Sequence, residues 1–156
     1  MNLSPGKLFS FFAVAEVITW AALITALVLR AAVGVPSEVF FVVGASHGFT
    51  FLGYAVIAAL VGVNQRWGLG RIVSGVMLAI VPFATVPFER RLAKKNLLAG
   101  PWRTQGTDDP RDKGVIDRLF RWFIKRPLIL ILVLVLGVVA VFSILLYLGP
   151  PGEWGK

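Results

Sequence analysis

The amino-acid sequence predicts an all-α membrane protein with four transmembrane helices and an amphipathic interfacial helix before the fourth. Three observations lead there. Of 156 residues, 57% are hydrophobic and 15% are charged, with a mean hydropathy of +0.80; a soluble domain keeps about 25% of its residues charged. Four apolar runs approach the roughly 20 residues that a helix needs to cross a hydrocarbon core of about 30 Å. Finally, most of the 16 Lys and Arg follow the third run, the pattern of a cytoplasmic loop.

The first run, Leu8–Leu29, is interrupted only by Glu16. It is too long for the apolar core of a secretion signal, and no small-x-small cleavage site follows Arg30, so it reads as a retained helix. The second, Val39–Val63, carries no formal charge, only the titratable His47. The third, Ile72–Phe88, is short and holds two prolines. Pro82 lies in its interior and is expected to kink it; Pro87 is expected to end it. The fourth, Leu128–Leu148, is almost wholly Leu, Val, Ile and Ala.

Between the third and fourth runs lies Glu89–Pro127, with eleven Lys or Arg and five acids. Its middle is rich in Gly, Pro, Asp and Thr and reads as loop, with Asp108, Asp109 and Asp112 in a solvated turn. At its end Ile116, Leu119, Phe120 and Phe123 recur at helical spacing, with basic residues between them. That is an amphipathic helix, and Arg118, Arg121, Trp122, Lys125 and Arg126 form its expected lipid or partner interface. The chain thus divides into a three-helix transmembrane domain (1–92), a basic loop with the amphipathic helix (93–127), and the fourth helix with a short tail (128–156).

Four spans place Arg30 and the eleven basic residues of the long loop on one side, and Lys7, Arg66, Arg71 and Lys156 on the other. Twelve against four puts loop 89–127 in the cytoplasm and both termini outside. A re-entrant third run would instead move Arg66, Arg71 and the N-terminus to the side of the loop.

The chain has no cysteine, which excludes disulfides, thiolate metal sites, iron–sulfur clusters and cysteine nucleophiles. No nucleic-acid-binding module is recognisable, so the basic balance points to anionic lipid. Paired intramembrane carboxylates, phosphate-binding loops and nucleophile elbows are missing as well, so no enzyme activity and no cofactor are expected.

Two ionisable residues fall inside apolar runs, and each needs a reason. Glu16 and His47 lie eight residues into their helices, about 12 Å from opposite surfaces. Across a core of about 30 Å they differ in depth by about 6 Å, so they can pair. His47, Phe51 and Tyr54 share one face of the second helix. Gly44 and Gly48, four apart, would let another helix approach closely. Such a cluster serves either as a hydrogen-bonded clasp between helices or as a proton-relay or quinone-contacting site. A single His makes a haem or metal site a poor fit.

Phe12-Ala-Val-Ala-Glu16, His47-Gly48-x-x-Phe51-x-x-Tyr54, and Pro82-Phe83 with Pro87-Phe88-Glu89-Arg90-Arg91 together resemble a small bacterial integral-membrane family of unknown function. The resemblance covers about residues 8–92, and Val17 stands where that family tends to have Gly. It implies a helical fold with a polar core, in the bacterial plasma membrane, and no reaction. The expected function is a non-catalytic accessory subunit of a larger membrane complex, such as one of the respiratory chain, with lipid and other membrane subunits as partners. The alternative is a small proton-coupled carrier or exporter using Glu16 and His47.

Overall fold

A computed structural model describes residues 3–148, and every regular element among them is helical. Helix α1 (Pro5–Ala32) starts where Ser4 Oγ accepts a hydrogen bond from Lys7 N at 3.3 Å. Pro5 takes the first helical position, where no amide donor is needed. Gly34, at φ +75°, and Pro36 turn the chain into α2 (Ser37–Asn64). The two helices pack antiparallel around Phe9, Ala13, Tyr54, Ile57, Ala58 and Val61.

The third apolar run is not one helix. It splits into α3 (Leu69–Met77) with a 3₁₀ turn at Leu78–Ile80, and α4 (Thr85–Lys94). Pro82 forces the preceding Val81 into extended backbone at φ −95°, ψ 118°, as the ring excludes the helical region there. Phe83 then adopts φ +63°, an uncommon conformation for a bulky residue, and the chain reverses. The expected kink is therefore a turn. Pro87, expected to close a helix, instead lies in the first turn of α4, where its missing amide is unneeded.

The return course is fixed by contacts with α1. Trp20 Nε1 donates to Ala79 O at 3.0 Å, Thr85 Oγ1 to Ala13 O at 2.9 Å, and Ser10 Oγ to Glu89 Oε1 at 2.5 Å. A Cβ built on Gly6 would meet Leu98 O at 2.6 Å. The partners thus descend α1 as the chain advances, while α3 climbs α2, Ile72 beside Gly62 and Gly75 beside Ala58. The α3–α4 hairpin enters and leaves at one end, reaching about 12–22 Å along α1. Among the described residues, three helices are long and apolar enough to cross a membrane: α1, α2 and α6 (Pro127–Leu148).

Residues 95–114 fold over the end of the bundle. Trp67 Nε1 donates to Leu97 O, and Trp102 Nε1 to Leu3 O, at 3.0 and 2.9 Å. Helix α5 (Val115–Ile124) follows, and its Phe120 and Ile124 pack on Leu130 of α6. Helix α6 runs beside α2, with Phe142 against Gly48. The N-terminal end of α1 and the loop 89–127 therefore share an end of the bundle. That corrects the expectation of opposite sides, whose premise was a complete third crossing. The expected tail, 149–156, lies outside the described residues.

Candidate functional site

Phe9, Ala13 and Glu16 occupy one face of α1, four and three residues apart, and all three are fully buried against α2. The residue spacing that packs the core thus carries a carboxyl group into it. His47 comes from the facing side of α2, its Nδ1 4.0 Å from Glu16 Oε2. Thr19 sits between them: its hydroxyl is 3.2 Å from His47 Nδ1, 3.1 Å from Glu16 O and 3.5 Å from Glu16 Oε2. One hydroxyl has one proton, so the arrangement holds whichever ring nitrogen of His47 is protonated. The Trp20 ring lies 4.4 Å from the imidazole, and its N–H latches the tip of the hairpin.

Tyr54 shares the helix face of His47 but packs on Phe9, with ring centroids 5.6 Å apart. Its hydroxyl and Glu16 Oε1 are both buried and without a hydrogen-bond partner. In a low-dielectric interior a carboxylate needs a proton or a counter-charge. Glu16 and His47 can meet that need in two ways, as neutral acid with neutral imidazole or as an ion pair. Among the described residues no group of three His, Cys, Asp or Glu could hold a metal ion.

The glycine pair behaves differently from expectation. A Cβ on Gly48 would lie 3.2 Å from the Phe142 ring, but one on Gly44 meets nothing within 4 Å. Gly44 is half-buried, so within this chain only Gly48 makes a close approach. The tight contacts are elsewhere, at Gly53 on Phe12 and Gly62 on Ile72. Those glycines lack a close glycine partner in sequence that would have marked them.

The basic cluster also divides. Arg118 and Lys125 are exposed, and Arg126 stacks on exposed Trp122, its guanidinium 4.6 Å from the ring. Arg121 turns inward. Its Nη2 donates to Asp112 O at 2.6 Å, while Nη1 makes an ionic contact with Asp112 Oδ1 at 3.1 Å without hydrogen-bond alignment. It is unavailable to lipid or a partner.

Asp112 is the residue that the sequence reading missed. Far from a solvated turn, it is buried and accepts Thr107 N and Oγ1, both at 2.7 Å. Arg66 Nη2 and Arg103 Nη1 reach the other carboxyl oxygen at 2.7 and 3.0 Å. The two Thr107 donors, then the charges of Arg66 and Arg121, hold its pKa down at about 2. Arg66 also pairs with Asp109, and Arg103 with Asp117 at 2.7 Å. Arg103 donates besides to the carbonyls of Val63 and Asn64, both at 2.7 Å. A cation on those last carbonyls complements the end of α2. These partners are scattered along the chain, and no local spacing marks them.

A model of a domain of unknown function, DUF3817, matches residues 6–94, from α1 to the end of α4. A Streptomyces coelicolor protein named "Putative membrane protein SCO5905" is 32% identical over 84 residues. That stretch is 53% of this chain and 10% of the relative, so the chain spans about a tenth of the relative's length. No solved structure matches. Glu16, Thr19, His47, Tyr54 and the α3–α4 hairpin all lie within the matched residues, and the chain belongs to the DUF3817 family of membrane proteins.

Proposed function

We propose that this chain is a non-catalytic accessory subunit of a larger bacterial membrane assembly, the respiratory chain being the first to examine. One observation carries the reading: the intramembrane polar side chains join helix to helix. Thr85 and Trp20 fasten the hairpin to α1, and Thr19 bridges Glu16 and His47. Polar groups that bind helices together are a scaffold's use of them. Outside this core, α6 presents apolar side chains along its length, a surface for lipid or a neighbouring helix.

In this reading α1, α2 and α6 cross the membrane, the α3–α4 hairpin is re-entrant, and α5 lies at the interface. Of the Lys and Arg among the described residues, fourteen belong to the end of the bundle that holds Leu3; Arg30 alone belongs to the other. The positive-inside rule then puts the N-terminal end and loop 95–114 in the cytoplasm, and the α1–α2 turn and Leu148 outside. Affinity purification in mild detergent, with mass spectrometry of what accompanies the chain, tests the subunit reading. It expects a stable set of larger membrane subunits; recovery of the chain alone or as a homodimer overturns it.

A second reading, the proton-coupled carrier, is favoured by the two open oxygens of Glu16 and Tyr54. Proton flux in liposomes that Glu16→Gln abolishes would replace the subunit with the carrier.

A further inference from the structure

Helix α6 stands off from the α1–α2 pair along part of its length. Between them runs a cleft of about 670 Å³, lined by apolar side chains that include Leu8, Phe12, Leu60, Leu130, Leu134 and Val138. Its volume falls within the roughly 300–1,000 Å³ of small-ligand sites. From Leu130 to Val138 it extends about 12 Å along α6. Half of a hydrocarbon core of about 30 Å is about 15 Å, so the cleft has nearly the depth of one leaflet, the length that a single acyl chain occupies. Leu130 is one turn into α6, its amide bonded to Arg126 O at 3.0 Å. Arg126 therefore stands at the interfacial end of the cleft.

The exposed charges of α5 and of its junction with α6 have one sign. Arg118, Lys125 and Arg126 are exposed. Asp117, the acid of α5, is turned away and held by Arg103 at 2.7 Å, while Arg121 is committed to Asp112. Trp122 beneath the Arg126 guanidinium is the amphipathic side chain that favours headgroup depth. An apolar slot one leaflet deep, opening beside unneutralised cations and an interfacial tryptophan, has the chemistry of an anionic amphiphile. We propose that the cleft holds one acyl chain of an anionic phospholipid, with its phosphate at Lys125 and Arg126. A zwitterionic lipid would fill the slot equally well but leave the cations without their counter-charge. The site is independent of the subunit reading, since it needs no protein partner.

Native mass spectrometry of the full chain in mild detergent tests it, with phosphatidylglycerol and phosphatidylcholine of matched chains as probes. One phosphatidylglycerol should be retained in preference. Each cation near an anionic headgroup contributes about a factor of five, so Lys125→Gln with Arg126→Gln should lower that preference about twenty-five-fold and leave phosphatidylcholine unchanged. Val135→Trp, at an exposed position lining the cleft, should displace both lipids. Ile131→Trp, also exposed and lining it, supplies the same test should the first variant fail to fold. Equal retention of the two lipids would overturn the proposal, as would retention that neither tryptophan disturbs. A dimer of the chain that Val135→Trp dissociates would also overturn it, by making a second copy the occupant.

Discussion

Two buried polar groups in this chain solve the same problem in opposite ways. At the end of the bundle, Asp112 is surrounded by Thr107 and three arginines, and the arginines are themselves shared with Asp109, Asp117 and the last carbonyls of α2. Within the membrane-spanning region, Glu16 has His47 Nδ1 at 4.0 Å and leaves an oxygen open, as does Tyr54. The first group is a clasp, charge matched to charge and donors to acceptors. The second is held in place without being saturated. A network that is complete specifies structure, whereas an incomplete one retains capacity to take up a proton or another polar group.

The comparison depends on which group is in water, and the largest expected effect tests that. In this cysteine-free chain, a cysteine introduced at Gln105 should react with an impermeant reagent only after the membrane is permeabilised. One at Gly34 should react in intact cells. Labelling of Gln105 in intact cells would reverse the orientation proposed here.

Next in size is Arg103→Met. It strips a counter-charge from Asp112 and Asp117 and removes the cation from the last carbonyls of α2, although Arg66 and Arg121 still face Asp112. Reversible unfolding in mixed micelles should register that loss; a change under about 1 kcal/mol would mean the clasp does not hold the loop. Its pH dependence has a definite sign. Asp112 is depressed from 3.8 to about 2 in the fold, so its contribution is full above about pH 4 and fades as pH falls towards 2. Hydrogen exchange across residues 101–114 should accelerate through that window, and the Asp112→Asn variant should lose the dependence.

The Glu16 and His47 pair should give a smaller number. Interhelical hydrogen bonds in membranes contribute about 1–2 kcal/mol in model peptides, and here the contact is long and shared with Thr19. A double-mutant cycle of Glu16→Gln and His47→Gln should find a measurable coupling, near the lower end of that range at about 1 kcal/mol. Strictly additive losses would separate the two residues.

How much of this was legible in the sequence depends on range. The apolar runs locate α1, α2 and α6 to within a few residues, because lipid selects on composition over a whole helix. The amphipathic period of 116–123 likewise announces α5. Similar depth, differing by about 6 Å on helical rise, was enough to bring Glu16 and His47 within reach of each other. Proline marked a disturbance at 82 but not its outcome. Whether the chain kinks or reverses was decided by Phe83 adopting a positive φ, by the bond from Trp20 to the hairpin tip, and by the contacts Ala13 and Ser10 offer the returning segment. The clasp was illegible for a similar reason. Arg66 and Asp112 lie 46 residues apart, and the inward turn of Arg121 follows from which face of α5 meets α6. Charges one turn apart look alike until that packing is known.

The smallest expected effect separates the two groups most finely. Tyr54→Phe removes a buried hydroxyl that has no partner, and deleting an unsatisfied polar atom loses no hydrogen bond. Its cost should be near zero, with a slight gain in stability if the ring packing against Phe9 is kept. Thr85→Val is the matched control: the same kind of deletion, one hydroxyl, but from a bond to Ala13 O at 2.9 Å. It should cost about 1 kcal/mol, because the hairpin loses a hydrogen bond that latches it to α1. Measured together by unfolding in mixed micelles, the two variants ask whether the intramembrane cluster is open. A loss from Tyr54→Phe as large as that from Thr85→Val would mean that the hydroxyl is satisfied in the membrane, by a bound water or ligand. The contrast with Asp112 would then be one of composition, with both groups complete.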